Sequence, residues 1–190
     1  MKSIVFDVDN VLADTMNCWC LKASEYLRVK VTKDQIKHDK IVGSVPISAS
    51  EVYRLQDLVW EEWANLPATE EGIPDLMSKL KNSGCSIIIA TCRPTRSARL
   101  VVKWLAKNGI NYDCFQALGP YRSKAEIECD MLVDDAPQQI IRIIERGGIG
   151  FLYAQPWNAG SHIPKAITIQ SLSEILDHLV PEHGKYHPTT

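Results

Sequence analysis

Short apolar runs and amphipathic stretches alternate along most of this chain. Residues 3–6 and the isoleucine-rich run 86–90 are too short for helices, and their continuous apolar character is typical of strands buried on both faces. Residues 96–108 have the period of an amphipathic helix, which Gly109 ends. Because strands and helices alternate after residue 73, we predict an α/β fold with an open parallel sheet flanked by helices.

The remaining elements follow from the same two periods and from the turn residues between them. Ser50 is the predicted N-cap of a helix that reaches about residue 65, with Val52, Leu55 and Val59 on one face. Further predicted elements are helices near 15–28, 74–83, 123–128, 137–146 and 171–180 and strands at 114–118, 131–133, 149–153 and 166–169.

Residues 15–67 form a segment that is too long to be a plain connection between two strands. It contains two predicted helices, and we interpret its Trp60 and Trp63 as core residues rather than as a platform for a nucleobase. A helical cap in this position would exclude water from a site and select what enters it. The predicted division is a core formed by 1–14 and 68–181, a small helical cap at 15–67, and a flexible tail at 182–190.

The composition is that of a globular protein without a strongly charged face. Of the 190 residues, 45% are hydrophobic and 23% are charged, and the net charge is -2, so we expect no bulk binding to nucleic acids. No apolar stretch approaches the roughly 20 residues that cross a membrane, and the N-terminal run turns acidic too early for a signal peptide. The six cysteines are scattered, which is typical of core residues in a reducing compartment. We therefore expect a cytoplasmic protein with no membrane partner.

Acidic residues stand at the ends of two predicted strands. Asp7 and Asp9 follow the first strand, and Asp134 and Asp135 follow the strand at 131–133. In an open parallel sheet these carboxyl ends meet at the edge where ligands bind, so the four carboxylates should converge. Carboxylates so close together repel each other, which raises a pKa and requires a cation. All-oxygen ligands suit a hard ion, so we predict Mg²⁺ as the cofactor.

Two further residues can complete a phosphate site at this edge. Thr91 follows the strand at 86–90, and Lys124 precedes the strand at 131–133. Their hydroxyl and ammonium groups can hold phosphate oxygens while an aspartate attacks phosphorus and forms an aspartyl-phosphate. Arg93 lies two residues after Thr91, so it could either bind the phosphate or shape the site around it.

Four motifs appear in order along the chain: DVDNV, the Thr of IIIAT, the Lys of SKAE, and LVDD. This set resembles the haloacid dehalogenase-like (HAD) phosphohydrolase superfamily, which implies a Rossmann-like HAD core. The segments DNVLAD, TCRPTRSARLVVKWLAKNGI, KAEIECDMLVDDAPQQI and YAQPWN further resemble its 5'(3')-deoxyribonucleotidase branch, over roughly residues 1–160. Polynucleotide 3'-phosphatases have a similar Arg-Pro segment followed by a Trp-Leu helix, so the branch stays open at this point.

The resemblance implies a role for each matching acidic residue. Asp7 would be the nucleophile. Asp9 would be the general acid that protonates the leaving oxygen and later activates water. The metal ligands would be Asp7, the backbone carbonyl of Asp9, and Asp135, with Asp134 supporting them.

The phosphate-binding residues that the resemblance implies are Thr91 and Lys124, with Cys92 and Arg93 beside Thr91. Two positions depart from the usual pattern. Asn10 replaces the Gly that commonly follows the second Asp, and because Asn tolerates a left-handed conformation we expect the turn to be kept. Cys92 replaces an Ala and is similarly small, so we expect no loss of activity.

Together the motifs imply a Mg²⁺-dependent phosphomonoester hydrolase, with a nucleoside monophosphate as the best substrate. The alternatives are another small phosphometabolite or a 3'-phosphorylated oligonucleotide, which the net charge of -2 disfavours. A Mg²⁺–phosphate-binding regulatory protein without turnover is the alternative from another class, and Asp9 argues against it because binding alone needs no general acid. Phosphoryl transfer to an acceptor other than water stays open as a reaction. A homodimer stays open as the oligomeric state.

Overall fold

A computed structural model describes residues 1–37 and 41–179, and in this part of the chain six strands form one parallel sheet. The predicted tail at 182–190 and the end of the last predicted helix, at residue 180, lie outside the described residues. The strands are β1 Lys2–Asp7, β2 Cys85–Thr91, β3 Cys114–Ala117, β4 Met131–Asp134, β5 Ile149–Tyr153 and β6 Ile167–Ile169. Their order across the sheet is β3-β2-β1-β4-β5-β6.

Helices cover both faces of this sheet, which confirms the predicted fold class. They are α1 Thr15–Leu27, α2 Ala49–Glu61, α3 Ile73–Asn82, α4 Thr95–Lys107 and α5 Pro137–Glu145. Side chains of β1 alternate between the two faces. Ile4 and Phe6 belong to a large core shared with α1 to α4, and Val5 belongs to a smaller one shared with α5. Burial on both faces explains why β1 is apolar at every position from Ile4 to Phe6.

The central strand β1 determines where the strand ends meet. It pairs with β2 on one side and with β4 on the other. Asp7 is the last residue of β1, Thr91 the last of β2, and Asp134 the last of β4. Because the strands are parallel, these three residues lie at the same edge of the sheet.

The helix predicted from Ser50 begins slightly earlier in the structure. Its N-cap is Ser48, whose hydroxyl accepts a hydrogen bond from Glu51 N at 3.2 Å. Ser50 lies within the first turn and pairs with the Ser48 hydroxyl. The α-helix also ends before residue 65, and a 3₁₀ helix at Trp63–Asn65 follows it. Of two serines that could cap a helix, the sequence pattern therefore indicated the wrong one.

Two other predicted helices are 3₁₀ helices. The prediction at 123–128 corresponds to Lys124–Glu126, and the prediction at 171–180 corresponds to Leu172–His178. Each begins after a Ser that forms a capping box with a Glu three residues later. The hydrophobic pattern locates such short elements but does not distinguish the two helix types.

The chain enters and leaves the inserted segment 15–67 through two stretches, 13–14 and 67–68, that are hydrogen-bonded to each other. Ala13 and Ala68 form an antiparallel bridge, and Asp14 N donates to Pro67 O at 2.9 Å. These bonds lie at the predicted boundaries between core and cap. The division into two domains stays a prediction.

The cysteines differ in exposure more than the sequence pattern suggests. All six are free thiols, and Cys20 and Cys85 are buried whereas Cys114 is exposed. The prediction that they are core residues is therefore correct for only some of them. Across the residues that the structure describes, no helix combines the length and the apolar character needed to cross a membrane.

Gly150 in β5 allows close packing of α5 against the sheet. A Cβ atom there would lie 2.7 Å from Ile140 Cγ2 and 3.3 Å from Ile140 O. Gly150→Ala should therefore lower the free energy of unfolding by about 1–3 kcal/mol through overpacking, measured by urea denaturation. Ile140→Leu removes the branch at Cβ, so it should recover part of this loss in the double variant. Unchanged stability of Gly150→Ala would contradict this packing.

Candidate active site

Lys124 joins two strand ends at the carboxyl edge of the sheet. Its Nζ lies 2.7 Å from Asp7 Oδ1 and 2.9 Å from Asp134 Oδ2. All three side chains are buried. Buried charges are stable only when they are paired, and here one ammonium pairs with two carboxylates. The structure thus brings together three residues that the sequence predicted for one site.

A carboxylate triad lies beside this lysine. Asp7, Asp134 and Asp135 each offer one oxygen, and these atoms lie within 4.8 Å of one another. The charge of Lys124 balances only part of their combined negative charge. Carboxylate oxygens gathered in this way suit a hard divalent cation, so the residues present fit a metal such as Mg²⁺.

The crowded charges shift the pKa values of these groups. Burial and the charge of Asp134 raise the pKa of Asp7 to about 7, against the opposing effect of Lys124. Burial and the charges of Asp134 and Asp7 raise the pKa of Asp135 well above its usual range. Burial by itself would lower the pKa of Lys124, but Asp134 and Asp7 raise it, so the ammonium stays charged. Without a cation, Asp7 and Asp135 therefore retain protons at a higher pH than usual.

Asp135 is held by side chains that follow β5. Trp157 Nε1 donates to Asp135 Oδ2 at 3.0 Å, and Asn158 Nδ2 donates to Asp135 O at 2.8 Å. Both donors lie in the YAQPWN segment, where the sequence favours structural or site-rim residues over catalytic ones. Trp157 orients the carboxylate expected to bind the metal, as partners in the outer shell of a metal site do, and Asn158 holds its backbone.

Asn10 connects the turn after Asp9 to the first helix. Its φ is +62°, so the expectation that Asn keeps the left-handed turn is confirmed. Its Oδ1 accepts hydrogen bonds from Thr15 Oγ1 at 3.0 Å and from Met16 N at 2.8 Å. Its Nδ2 also approaches Asp135 Oδ2 at 3.4 Å. A Gly in this position could make none of these side-chain contacts.

The Asp9 carboxylate lies outside the triad and has different partners. Arg93 Nη2 donates to its Oδ1 at 2.7 Å, and Arg93 Nε donates to its Oδ2 at 2.9 Å. Trp60 Nε1 also donates to Oδ1, at 3.0 Å. Although burial opposes it, the charge and hydrogen bonds of Arg93 and the bond from Trp60 lower the pKa of Asp9. The mutual repulsion of carboxylates predicted from the sequence therefore does not determine the pKa of Asp9, because the effect of Arg93 is larger.

Thr91 and Cys92 occupy the turn between β2 and α4. Thr91 is fully buried, and its hydroxyl oxygen accepts a hydrogen bond from Arg93 N at 3.2 Å. The hydroxyl hydrogen can then be donated to another group. Cys92 Sγ donates to Arg122 O at 3.2 Å, which connects this turn to the loop before Lys124. The assignment of these residues to phosphate binding stays a prediction.

A cavity of about 570 Å³ is lined by the strand ends and by part of the inserted segment. Asp7 and Lys124 line it from the core, and Trp19, Tyr53 and Gln56 line it from α1 and α2. This volume is typical of a site for a small molecule. The inserted segment therefore supplies one wall of the cavity in which the buried carboxylates lie.

The sequential order of these strand-end residues on a parallel sheet is that of HAD phosphohydrolases, and fold and site together define this class of phosphatase. A family model described as "5' nucleotidase, deoxy (Pyrimidine), cytosolic type C protein" matches residues 1–182, and the chain belongs to this family. The resemblance to the nucleotidase branch is thus confirmed. Comparison with curated protein sequences gives no match.

Solved structures share the fold at low sequence identity. A haloacid dehalogenase-like hydrolase from Streptococcus pneumoniae is 17% identical with a TM-score of 0.69, over 95% of this chain and 99% of its own. A predicted phosphoglycolate phosphatase from Haemophilus somnus is 15% identical with a TM-score of 0.63, over 94% and 97% of the two chains. A phosphonoacetaldehyde hydrolase-like protein from Oleispira antarctica is 12% identical with a TM-score of 0.63, over 94% and 91%. These likenesses confirm the HAD-like fold.

The raised pKa of Asp7 predicts how stability depends on pH in the metal-free protein. The folded state holds this proton up to about pH 7, whereas the unfolded chain releases it near pH 4. Stability should therefore fall as the pH rises between these values. Asn mimics the protonated carboxyl, so the Tm of Asp7→Asn minus that of the wild type should be larger at pH 8 than at pH 4.5, measured by thermal denaturation in chelator.

Asp130→Asn is the matched control for this measurement. Hydrogen bonds from Ser3 lower the pKa of Asp130, so ionised Asp130 stabilises the fold above the acid range. Its Asn variant should lose stability at pH 8 relative to the wild type, the opposite sign. A Tm difference for Asp7→Asn that does not change with pH would contradict the charge balance described for the site.

Proposed function

We propose that this phosphatase is a Mg²⁺-dependent 5'(3')-nucleotidase that acts on (deoxy)ribonucleoside monophosphates in the cytoplasm. The observation that carries the proposal is the buried Asp7, in contact with Lys124 and two residues before Asp9, inside a cavity large enough for a nucleotide. The family match over residues 1–182 supports the same reaction. The free thiols of all six cysteines are consistent with a reducing compartment.

In the first half of the reaction, Asp7 is the nucleophile. One of its oxygens attacks phosphorus, the bond from phosphorus to the leaving oxygen breaks, and the leaving oxygen takes a proton from Asp9. The negative charge of the bound phosphate lies beside Asp9 and favours its protonated form, against the effect of Arg93. Lys124 and the Thr91 hydroxyl hold the other phosphate oxygens.

In the second half, water attacks the aspartyl-phosphate. Asp9 takes a proton from this water, the bond from phosphorus to Asp7 breaks, and inorganic phosphate is released. The same carboxyl thus acts first as acid and then as base.

The carboxylate triad would hold the metal, with Asp7 and Asp135 as ligands together with the backbone carbonyl of Asp9. Asp134, already paired with Lys124, would support them. When bound, Mg²⁺ supplies positive charge that offsets repulsion between the carboxylates and the phosphate.

The walls of the cavity favour a nucleoside as the leaving group. Tyr53 offers aromatic surface, and Gln56 offers an amide that can donate to and accept from a base. Tyr53 is 63% exposed, so its ring is free to contact a ligand. A small sugar phosphate would use little of this surface, which makes it the weaker candidate.

A phosphate-release screen tests the proposal. We expect a nucleoside monophosphate to rank among the best substrates by kcat/KM when all ribo- and deoxyribonucleotides are compared with sugar phosphates and a 3'-phosphorylated oligonucleotide. Activity should disappear in excess chelator and return with Mg²⁺, because the metal offsets the charge of the triad.

The screen separates the substrate from the reaction. Rapid turnover of a sugar phosphate with every nucleotide inert would refute the nucleotidase proposal and leave the phosphatase class intact. Full turnover in chelator would refute the metal. An inert wild type that binds phosphate only with Mg²⁺ would indicate the regulatory alternative.

Acid-quenched labelling with a radioactive phosphate ester tests the roles of the two carboxyl groups. Asp7→Asn should form no phosphoenzyme, because the nucleophile is gone. Asp9→Asn should form one slowly with 4-nitrophenyl phosphate, whose leaving group needs little protonation, and should hydrolyse it slowly for lack of a base. Label on Asp9, or label that persists in Asp7→Asn, would refute the assignment.

A further inference from the structure

Trp60 connects the inserted segment to Asp9. It lies in α2, its ring is fully buried, and its Nε1 lies 3.0 Å from Asp9 Oδ1. On its other side it packs edge-on against Trp104 of α4, with ring centroids 6.3 Å apart. Trp104 in turn donates Nε1 to Leu66 O at 2.8 Å. Trp60 is therefore fixed between the core and the carboxylate that the proposed mechanism uses as acid and base.

Arg93 completes a three-residue cluster with Asp9 and Trp60. Its guanidinium binds both oxygens of Asp9, at 2.7 and 2.9 Å, and its Cζ lies 5.2 Å from the centroid of the Trp60 ring. Bidentate pairing fixes the plane of a carboxylate as well as its position. The cation over the Trp60 ring adds a second constraint on the guanidinium.

The side chains of Arg93 and Trp60 contact the carboxyl group of Asp9, and they contact neither Lys124 nor the Thr91 hydroxyl, the two groups expected to hold the phosphate. Lys124 contacts Asp7 and Asp134, and the Thr91 hydroxyl accepts from the backbone N of Arg93 rather than from its side chain. The side chains of Arg93 and Trp60 thus act on Asp9. Catalytic groups held in place by such bonds react faster, because less ordering remains for the transition state.

We propose that Arg93 and Trp60 are positioning residues that hold the Asp9 carboxyl in place for proton transfer to the leaving oxygen and from the attacking water. This inference rests on the proposed function. Of the two roles that the sequence left open for Arg93, binding the phosphate or shaping the site, it favours the second. It also places one residue of the inserted segment in direct contact with the group that transfers the proton.

The kinetic test compares esters that differ in their need for an acid. Trp60→Phe keeps an aromatic ring but loses the indole N–H. In this variant and in Arg93→Met, kcat for the best nucleoside monophosphate should fall about 10-fold or more, which is part of the ~10²–10⁴-fold that general acid–base catalysis supplies. The burst of nitrophenolate from 4-nitrophenyl phosphate should stay within about 3-fold, because that leaving group needs little protonation. Arg93→Lys should recover part of kcat.

Arg99→Met and Trp63→Phe are the matched controls. Arg99 is exposed on α4, the helix that follows Arg93, and Trp63 follows α2 with its ring against Lys103. Both variants should retain wild-type kcat on all esters.

Inhibition by inorganic phosphate separates the two roles of Arg93. A positioning role leaves the inhibition constant within about 3-fold in both variants. A rise of about 10-fold or more in Arg93→Met alone, with an equal loss on every ester, would assign Arg93 to phosphate binding and overturn the inference; each 10-fold is one lost contact of ordinary strength.

A readout without turnover tests the contact itself. Tryptophan labelled with ¹⁵N gives five indole N–H signals, and Trp60→Phe assigns the one of interest. Asp9→Ala and Arg93→Met should shift this signal more than the other four. A Trp60 signal that Asp9→Ala leaves unchanged would overturn the inference.

A wild type inert on every ester would refute the proposed function, and the positioning role with it. Equal loss on all esters in an active protein would refute the positioning role alone.

Discussion

Three carboxylates converge at the end of the central strand, and the Lys124 ammonium lies between two of them, 2.7 Å from Asp7 and 2.9 Å from Asp134. These groups are buried, so water cannot screen their repulsion and the lysine must offset it. The pKa of Asp7, raised to about 7 by burial and by Asp134 despite Lys124, shows that the offset is incomplete. The remaining negative charge is what makes the site suitable for a divalent cation.

Asp7 and Asp9 are two residues apart and yet lie in opposite electrostatic environments. Asp7 faces other carboxylates, whereas Asp9 is bound by Arg93 and Trp60, which lower its pKa although burial acts the other way. The chain turns directly after Asp9, where the left-handed backbone of Asn10 leads it toward α1. In the free site these shifts run opposite to the proposed roles, so a bound cation would have to favour the ionised form of Asp7, and the charge of a bound phosphate the protonated form of Asp9.

Local patterns in the sequence were sufficient for the fold and for the strand-end residues. Continuous apolar runs predict buried parallel strands, and the rule that such strands end at one edge places Asp7, Thr91 and Asp134 together. The sequence assigned Arg93 to the site only through its position beside Thr91. The contacts of Arg93 and Trp60 with Asp9 were beyond this reasoning, because these residues are 84 and 51 residues away from it. No local period encodes a contact between a helix of the inserted segment and a strand end, so Trp60 reads as an ordinary core residue until the tertiary structure is known.

The helix α2 has two tasks in the proposed mechanism, because it lines the cavity and also carries Trp60, which contacts Asp9. Tyr53 and Gln56 line the cavity from the same helix that carries Trp60. A ligand that displaces this helix by even 1 Å therefore also disturbs a hydrogen bond to the proposed acid, and misplacement on that scale costs a reaction roughly 10²-fold. Binding of the leaving group and its protonation are thus mechanically linked through one helix. An ester that leaves α2 in place keeps Asp9 positioned, whereas one that fits poorly loses rate as well as affinity.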